Sequence, residues 1–227
     1  MNFLDIIFPK RCVGCGRIGK YFCAGCASSI RPIVQNETIC PVCEKPSMDG
    51  FTHTFCKTRY SLDGLTSFFH YQGVAQKAIK SLKYRFVFDL AQEFIGLIPL
   101  VMMDSRLRGN DTIMAPVPLH PSRLRFRGFN QAEKLGTILT HRLDVPFEKN
   151  VLKRVVKTPS QVEVKDREKR LKNMDQAFAI HDSTFVLHNS SILLFDDVWT
   201  TGATLRSAGR ALKRAGASRV WGVTMAR

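Results

Sequence analysis

Apolar residues follow two different spacings in the part of the chain after residue 60. Short, mostly apolar runs are typical of buried strands, whereas apolar residues three or four positions apart are typical of helices that cover a core. Strands are predicted at 65–71, 113–117, 191–195 and 219–225, and helices at 73–84, 88–103, 130–142 and 203–215. Because apolar strands alternate with helices, the pattern predicts an α/β domain with a mainly parallel sheet.

The cysteines are confined to the first quarter of the chain. Their clustering predicts a separate module at residues 1–60, followed by a second domain at residues 61–227. An odd cysteine number with repeated C-x-x-C pairs, in a chain without a signal peptide, favours metal ligands over disulfides. We therefore expect structural Zn²⁺, which prefers four soft ligands. The candidate ligands are Cys12, Cys15, Cys23, Cys26, Cys40, Cys43 and Cys56.

The spacing leaves three arrangements open. Cys12, Cys15, Cys23 and Cys26 can form one complete site, but Arg59 stands where the second ribbon would need a fourth cysteine, and arginine cannot bind zinc. His53 can complete a second, Cys₃His site, or that site can lack zinc. In a cross-braced alternative, the first two cysteines pair with Cys40 and Cys43.

The predicted strand at 191–195 runs directly into two adjacent carboxylates, Asp196 and Asp197. Ligands bind beyond the carboxyl ends of parallel strands, and the N-terminus of a following helix offers unpaired N–H groups to a phosphate. Glycine lets the backbone approach an anion, and threonine hydroxyls can donate hydrogen bonds. The candidate phosphate-binding residues are Thr200, Thr201, Gly202, Ala203 and Thr204.

A formal net charge of +15 calls for an anionic partner. Residues 113–178 hold 14 basic and 7 acidic residues, so much of the excess lies there. Arg123 and Arg127 follow a predicted strand and can clamp a pyrophosphate, although a solvated basic face is the common alternative. The charged run at 165–172 is expected to form a solvated hood, and the polar stretch at 104–111 a surface loop.

The run at 191–205 resembles the phosphoribosyl pyrophosphate signature of type I phosphoribosyltransferases. Together with Pro116-Val-Pro118-Leu-His-Pro-Ser-Arg123-Leu-Arg-Phe-Arg127-Gly-Phe-Asn130-Gln131, and with the cysteine module before it, almost the whole chain resembles the ComF family of competence-associated proteins, which includes GntX-like members. Other family-like pieces lie at 81–84, 158–161 and 170–178. Arg59 and the stretch 104–111 depart from the family pattern.

This resemblance implies a type I phosphoribosyltransferase-like domain after a small zinc ribbon module, and association with DNA uptake in natural transformation. It further implies binding of phosphoribosyl pyrophosphate with Mg²⁺. Asp196 and Asp197 would hold the ribose hydroxyls directly or through Mg²⁺, and the threonine loop would hold the 5′-phosphate. Arg123, Arg127 and Lys83 would neutralise the pyrophosphate. No acceptor site is identifiable, so catalysis is left open, and no glutaminase domain is expected.

A second hypothesis belongs to a different class of protein. A non-catalytic accessory protein would use the fold as a sensor or scaffold and bind single-stranded DNA or a competence helicase. The basic residues around Phe126 and Phe129 suit this role, since aromatic rings can stack bases. Without a long apolar run or a signal peptide, we expect a cytoplasmic protein with at most peripheral membrane contact through residues 2–8.

Overall fold

The computed structural model describes residues 9–84, 87–103, 107, 111–156, 177–181 and 190–227. The described helices are α1 (Ala24–Ser28), α2 (Gly73–Tyr84), α3 (Phe88–Gly96), α4 (Pro121–Arg127), α5 (Gln131–Leu143) and α6 (Ala203–Arg214). The strands are β1 (Gly64–Phe69), β2 (Thr112–Pro116), β3 (Leu152–Arg154), β4 (Phe178–Ile180), β5 (Ser191–Val198) and β6 (Arg219–Ala226). Short 3₁₀ turns lie at Gln35–Glu37, Met48–Gly50, Thr54–Cys56 and Leu100–Met102.

Four of these strands form one parallel sheet in the order β1-β6-β5-β2. β5 is an inner strand, and its side chains alternate between two hydrophobic clusters. Leu193 and Phe195 belong to one cluster, and Ile192 and Leu194 belong to the other. The predicted α/β fold with a mainly parallel sheet is therefore confirmed. β3 and β4 form a separate antiparallel pair that the sequence pattern did not predict.

Helices cover both faces of the parallel sheet. The cluster that contains Leu193 and Phe195 takes its helical residues from α2, α3 and α5, whereas the opposite cluster contains Leu205, Ala208 and Leu212 of α6. The three- and four-residue spacing of these α6 positions is the helical period that the sequence showed. Both faces of β5 are consequently buried, and Asp196 and Asp197 are half-buried at its carboxyl end.

Several predicted boundaries were wrong. The helix predicted at 88–103 ends at Gly96. It cannot continue through Pro99 because proline disfavours helical backbone in the residue before it, and a separate 3₁₀ turn follows at Leu100–Met102. β5 continues three residues beyond the prediction, to Val198, and therefore includes both acidic residues. Leu107 is buried, although the stretch 104–111 was predicted as a surface loop.

Helix α4 was missed because its arginines resemble a polar connection. Pro121 occupies its first turn, and the His120 side chain accepts a hydrogen bond from the Ser122 N–H, which are two recognisable helix-start features. The predicted hood at 165–172, the membrane-contact segment at 2–8 and the family-like pieces at 158–161 and 170–173 lie outside the described residues.

The cysteine-rich segment packs against both faces of the α/β domain. On one face, the Phe22 ring stacks on Phe94 of α3 with 5.7 Å between centroids, and the Glu93 carboxylate accepts hydrogen bonds from the backbone N–H groups of Tyr21 and Phe22. On the other face, the guanidinium of Arg206 in α6 donates hydrogen bonds to the carbonyl oxygens of Pro41 and Val42, next to Cys40. The division at residues 60 and 61 stays a prediction. Among the described helices, none has the length and apolar character needed to cross a bilayer.

Candidate metal centres and ligand cavity

The first metal centre consists of Cys12, Cys15, Cys23 and Cys26. Their sulfur atoms all lie within 4.8 Å of one another, and the Sγ atoms of Cys15 and Cys23 are 3.7 Å apart. A tetrahedron of thiolates with Zn–S bonds of about 2.3 Å has edges of about 3.8 Å, so this arrangement fits zinc. The two C-x-x-C turns are thus folded around one point.

The backbone around the first centre favours an ionised Cys12. Burial alone would raise the pKa of this thiol, but hydrogen bonds from the backbone N–H groups of Cys23, Cys15 and Gly14 lower it to about 6. The pKa of Cys26 is raised to about 12, first by its hydrogen bond with Cys12 and then by that with Cys23. Four thiolates need a cation between them, which is what zinc supplies.

The second metal centre has a mixed ligand set, formed by Cys40, Cys43, His53 and Cys56. Nδ1 of His53 lies 3.3 Å from Sγ of Cys43, and its Nε2 lies 3.0 Å from the carbonyl oxygen of Pro46. An Nε2–H that donates to a carbonyl leaves Nδ1 as the metal ligand and orients the ring. The donor set therefore fits a Cys₃His zinc site.

Among the three arrangements that the spacing left open, the one in which His53 completes a second, Cys₃His ligand set is observed, and the cross-braced pairing is wrong. Cys12 and Cys15 cluster with Cys23 and Cys26, not with Cys40 and Cys43. The guanidinium of Arg59 lies over the Tyr60 ring, 5.6 Å from its centroid, outside the second ligand set.

A cavity of about 100 Å³ lies at the carboxyl end of β5. A cavity needs at least about 10–15 Å³ of such volume to hold one water molecule, so this cavity has room for several waters or a small anion. The candidate acids, Lys83 and most of the threonine loop line it together. Its lining residues are Tyr71, Lys83, Asp196, Asp197, Val198, Trp199, Thr200, Gly202, Ala203, Thr204 and Leu205. Thr201 belongs to the same loop, although it does not line the cavity.

The acid pair is electrostatically asymmetric. Nζ of Lys83 lies 3.6 Å from Oδ2 of Asp197, whereas Oδ1 of Asp196 accepts a hydrogen bond from the backbone N–H of Asp197 at 2.8 Å. Burial, followed by the neighbouring Asp197 carboxylate, raises the pKa of Asp196 to about 8. Burial and Asp197 also raise the pKa of Tyr71. A cation or a hydroxyl donor is needed to hold both carboxylates ionised.

Gly202 begins α6 with left-handed backbone, at φ 65°. A Cβ atom at this position would lie 2.2 Å from the Trp199 ring, so both the conformation and the close approach require glycine. The N–H groups of the first helical turn point beyond the helix start and have no intrahelical acceptor. This geometry suits an anion, with the helix dipole adding partial positive charge.

The other predicted basic residues, Arg123 and Arg127, are on α4, and neither is among the described residues that line the cavity. Arg154 of β3, which the sequence analysis missed, is buried with its guanidinium 5.3 Å from the Phe178 ring centroid. Burial and the charge of nearby Arg123 lower the pKa of Arg154 to about 10, and Asp196 opposes that shift. Arg123 thus has a cationic neighbour that the linear sequence does not reveal.

Asn130, which follows Arg127 in the family-like run that begins at Pro116, stabilises the fold. Its side-chain oxygen accepts from the Ala132 N–H at 3.2 Å, and its amide nitrogen donates to the Val117 carbonyl at 3.0 Å. The neighbouring Gln131 donates to the Ile79 carbonyl at 3.1 Å. These bonds cap α5 and connect it to the end of β2 and to α2.

The structure thus defines a class of protein with two zinc ribbons and a parallel α/β domain that has an acidic cavity. The family model of the double zinc ribbon domain matches residues 3–58. Competence protein F of Haemophilus influenzae is 31% identical over 240 residues, and the alignment covers 100% of both chains. This chain belongs to the competence protein F family, ComF, which confirms the resemblance inferred from the motifs.

A solved structure with a similar region is glutamine phosphoribosylpyrophosphate amidotransferase from B. subtilis complexed with ADP and GMP. It is 13% identical, with a TM-score of 0.39. The match covers 63% of this chain, which spans 30% of that longer chain.

The two metal centres predict a zinc content of two per chain. His53→Ala removes one of the four ligands of the second centre, and Cys15→Ala does the same at the first, so each variant is expected to retain about one zinc. Elemental analysis of protein purified without chelator measures this. His141→Ala, which changes an exposed histidine on α5, is the control and should retain two. A wild-type content of one, unchanged by His53→Ala, would contradict the second centre.

Proposed function

We propose that this ComF-family protein binds phosphoribosyl pyrophosphate together with Mg²⁺ at the carboxyl end of β5, with only part of the ligand inside the cavity, and that it serves DNA uptake during natural transformation. The observation that carries the first part is the convergence of Asp196, Asp197, Lys83 and the start of α6 on one cavity. The second part is supported by full-length similarity to a protein named for competence.

Each side of the cavity suits a different part of this ligand. The N–H groups at the start of α6 and the hydroxyls of Thr200 and Thr204 are suited to the 5′-phosphate. The carboxylates of Asp196 and Asp197 are suited to the ribose hydroxyls as hydrogen-bond acceptors. Lys83, next to Asp197, supplies a positive charge on the side where a pyrophosphate can extend.

The donor set at this edge also fits Mg²⁺, because two carboxylates lie beside a loop that is suited to a phosphate, and Mg²⁺ binds carboxylate and phosphate oxygens. When bound, Mg²⁺ would neutralise charge on the pyrophosphate. The reaction class that the arrangement suits is displacement at C1 of the ribose. A nucleophile would form a bond to C1. The bond from C1 to the pyrophosphate oxygen would break, and its electron pair would leave with the pyrophosphate. The protein would contribute orientation and charge stabilisation rather than a nucleophile.

Asp197→Ala is expected to weaken phosphoribosyl pyrophosphate binding at least about 100-fold, because it removes a ribose acceptor and the partner of Lys83. Isothermal titration calorimetry with Mg²⁺ measures the affinity. Glu133→Gln removes a carboxylate from α5, away from the cavity, and should bind like the wild type. Equal affinities for wild type and Asp197→Ala would refute the proposed site.

Binding is also expected to strengthen as the pH rises from 6.5 to 8.5. The pKa of Asp196 is raised to about 8, so this carboxyl is mostly protonated at neutral pH and gains its negative charge only as the pH passes that value. A ligand that needs the carboxylate must displace this proton when it binds. Below the pKa, each unit by which the pH rises therefore increases the affinity by up to about tenfold.

The measurement is calorimetry over this pH range in two buffers that differ in their enthalpy of ionisation. Residue 196 cannot titrate in Asp196→Asn, so any pH dependence that remains in this variant comes from ionisation of the ligand. An identical pH dependence in Asp196→Asn and wild type would assign the titration to the ligand alone and contradict the role of Asp196.

Single-stranded DNA binding at α4 is a second candidate function. The Phe126 side chain is 90% exposed, although it is a large aromatic residue, and Arg123, Arg125 and Arg127 lie on the same short helix. An exposed ring between guanidinium groups suits base stacking combined with phosphate contacts. None of the described residues that line the acidic cavity belongs to α4, so the two proposed sites share none of these residues.

Phe126→Ala is expected to weaken single-stranded DNA binding about tenfold, the loss of one stacked base, and to leave phosphoribosyl pyrophosphate binding unchanged. Fluorescence anisotropy with a labelled oligonucleotide measures the first affinity. Its logarithm should fall linearly with the logarithm of salt concentration, with a smaller slope in Arg125→Ala. Phe55→Ala is the control, since Phe55 is a comparably exposed ring on the second ribbon. Equal DNA affinities for wild type and Phe126→Ala would exclude this surface.

A further inference from the structure

The guanidinium of Arg206 joins the second zinc ribbon to the candidate phosphate loop. Nη1 donates to the carbonyl oxygens of Pro41 at 2.7 Å and Val42 at 3.1 Å. Nη2 donates to Oε1 of Glu44 at 3.1 Å and to the carbonyl oxygen of Thr201. Four acceptors from two distant chain segments therefore meet at one side chain.

Arg206 is held in a single orientation. Its side chain is only 19% exposed, and the guanidinium lies over the Trp199 ring at 5.3 Å from the centroid. Trp199 is the residue whose ring contacts Gly202. The planar fork of arginine can satisfy several acceptors at once, which a lysine ammonium cannot do with the same geometry.

The acceptors on the ribbon depend on the folded metal knuckle. Pro41 and Val42 lie between the ligands Cys40 and Cys43, and the Val42 N–H points to Sγ of Cys40 at 3.5 Å. The Glu44 N–H donates to the Cys40 carbonyl at 2.9 Å, which closes the turn. In ribbons of this kind metal binding and folding are one equilibrium, so these carbonyls converge only while the centre is formed.

We propose that Arg206 is a positioning residue that couples occupation of the second zinc centre to ligand affinity at the phosphate loop. A filled centre presents the Pro41 and Val42 carbonyls to Arg206, and Arg206 in turn holds the Thr201 carbonyl and the Trp199 ring beside Gly202. Loss of the second zinc releases this support and weakens ligand binding. The ligand half of this inference rests on the proposed function.

Coupling between two binding sites is reciprocal, so each ligand must change the affinity of the other by the same factor. Bound phosphoribosyl pyrophosphate therefore raises the zinc affinity of the second centre in the wild type, and slower zinc release is the readout expected for this change. The first centre packs against α3 on the other face of the sheet, so its zinc should be insensitive to the ligand.

The test compares wild type, Arg206→Ala, Arg206→Lys and the control Arg210→Ala, which removes the same charge one turn further along α6. Zinc release to a colorimetric chelator is followed with and without phosphoribosyl pyrophosphate and Mg²⁺. His53→Ala and Cys15→Ala, each lacking one centre, identify the phase that belongs to each zinc. Calorimetry gives the ligand affinity of every variant.

We expect Arg206→Ala and Arg206→Lys to release the second zinc several-fold faster than the wild type and to bind the ligand about tenfold more weakly. In both variants, the ligand no longer slows zinc release. His53→Ala should show the same weakened ligand binding, whereas Cys15→Ala and Arg210→Ala should not. A variant that only destabilised the second centre would release zinc faster, but bound ligand would still slow that release.

If the wild type binds the ligand, and Arg206→Ala and His53→Ala bind it with the same affinity, the coupling is overturned and the proposed function stands. If the wild type binds no phosphoribosyl pyrophosphate, the proposed function fails, and zinc release alone decides whether Arg206 supports the second centre. Equal release from wild type and Arg206→Ala would then overturn the inference. Should Arg206→Ala not fold, Glu44→Gln weakens the same bridge at one acceptor and is expected to give a smaller change of the same sign.

Discussion

β5 must be apolar enough to lie inside the sheet and must nevertheless end in two adjacent carboxylates. Its first five residues satisfy the first requirement by pairing with β2 and β6 and by burying side chains on both faces. Asp196 and Asp197 then emerge at the edge where a parallel sheet opens to ligands. The turn into α6, the burial of Trp199 and the glycine at residue 202 all follow from the need to end this strand in a cavity without exposing the core.

The zinc ribbons solve a different problem, since a segment of this size has too little apolar surface to fold alone. Each ribbon is organised around one four-ligand centre and contributes only a few residues to a shared core. Phe22 and Ile30 join the cluster on the α3 face, and Ile39 packs against the cluster on the α6 face. Metal binding therefore replaces much of the hydrophobic burial that a larger module would use. The two ribbons therefore pack against opposite faces of the α/β domain.

The parts of the site that sequence patterns predicted are those formed by neighbouring residues. The acids, the threonines and Gly202 lie within nine positions, and local rules for a strand followed by a helix are enough to bring them together. Arg206 was missed because its acceptors Pro41 and Val42 lie more than 160 positions away, and nothing in the linear sequence links them. His53 was one of several alternatives, since spacing allows the Cys₃His set but only the folded turn brings Nδ1 to Cys43. Arg123 and Arg127 were recognised as basic residues near a strand end, but helix α4, on which they lie outside the described lining of the cavity, was not predicted.

A crystal structure of the full chain with phosphoribosyl pyrophosphate and Mn²⁺ in place of Mg²⁺ would test most directly whether the end of β5 binds this ligand. We expect the 5′-phosphate at the backbone N–H groups that begin α6, the ribose hydroxyls at Asp196 and Asp197, and an anomalous manganese peak beside the pyrophosphate. Ordered ligand at another surface, with only water between Asp197 and Thr204, would contradict it.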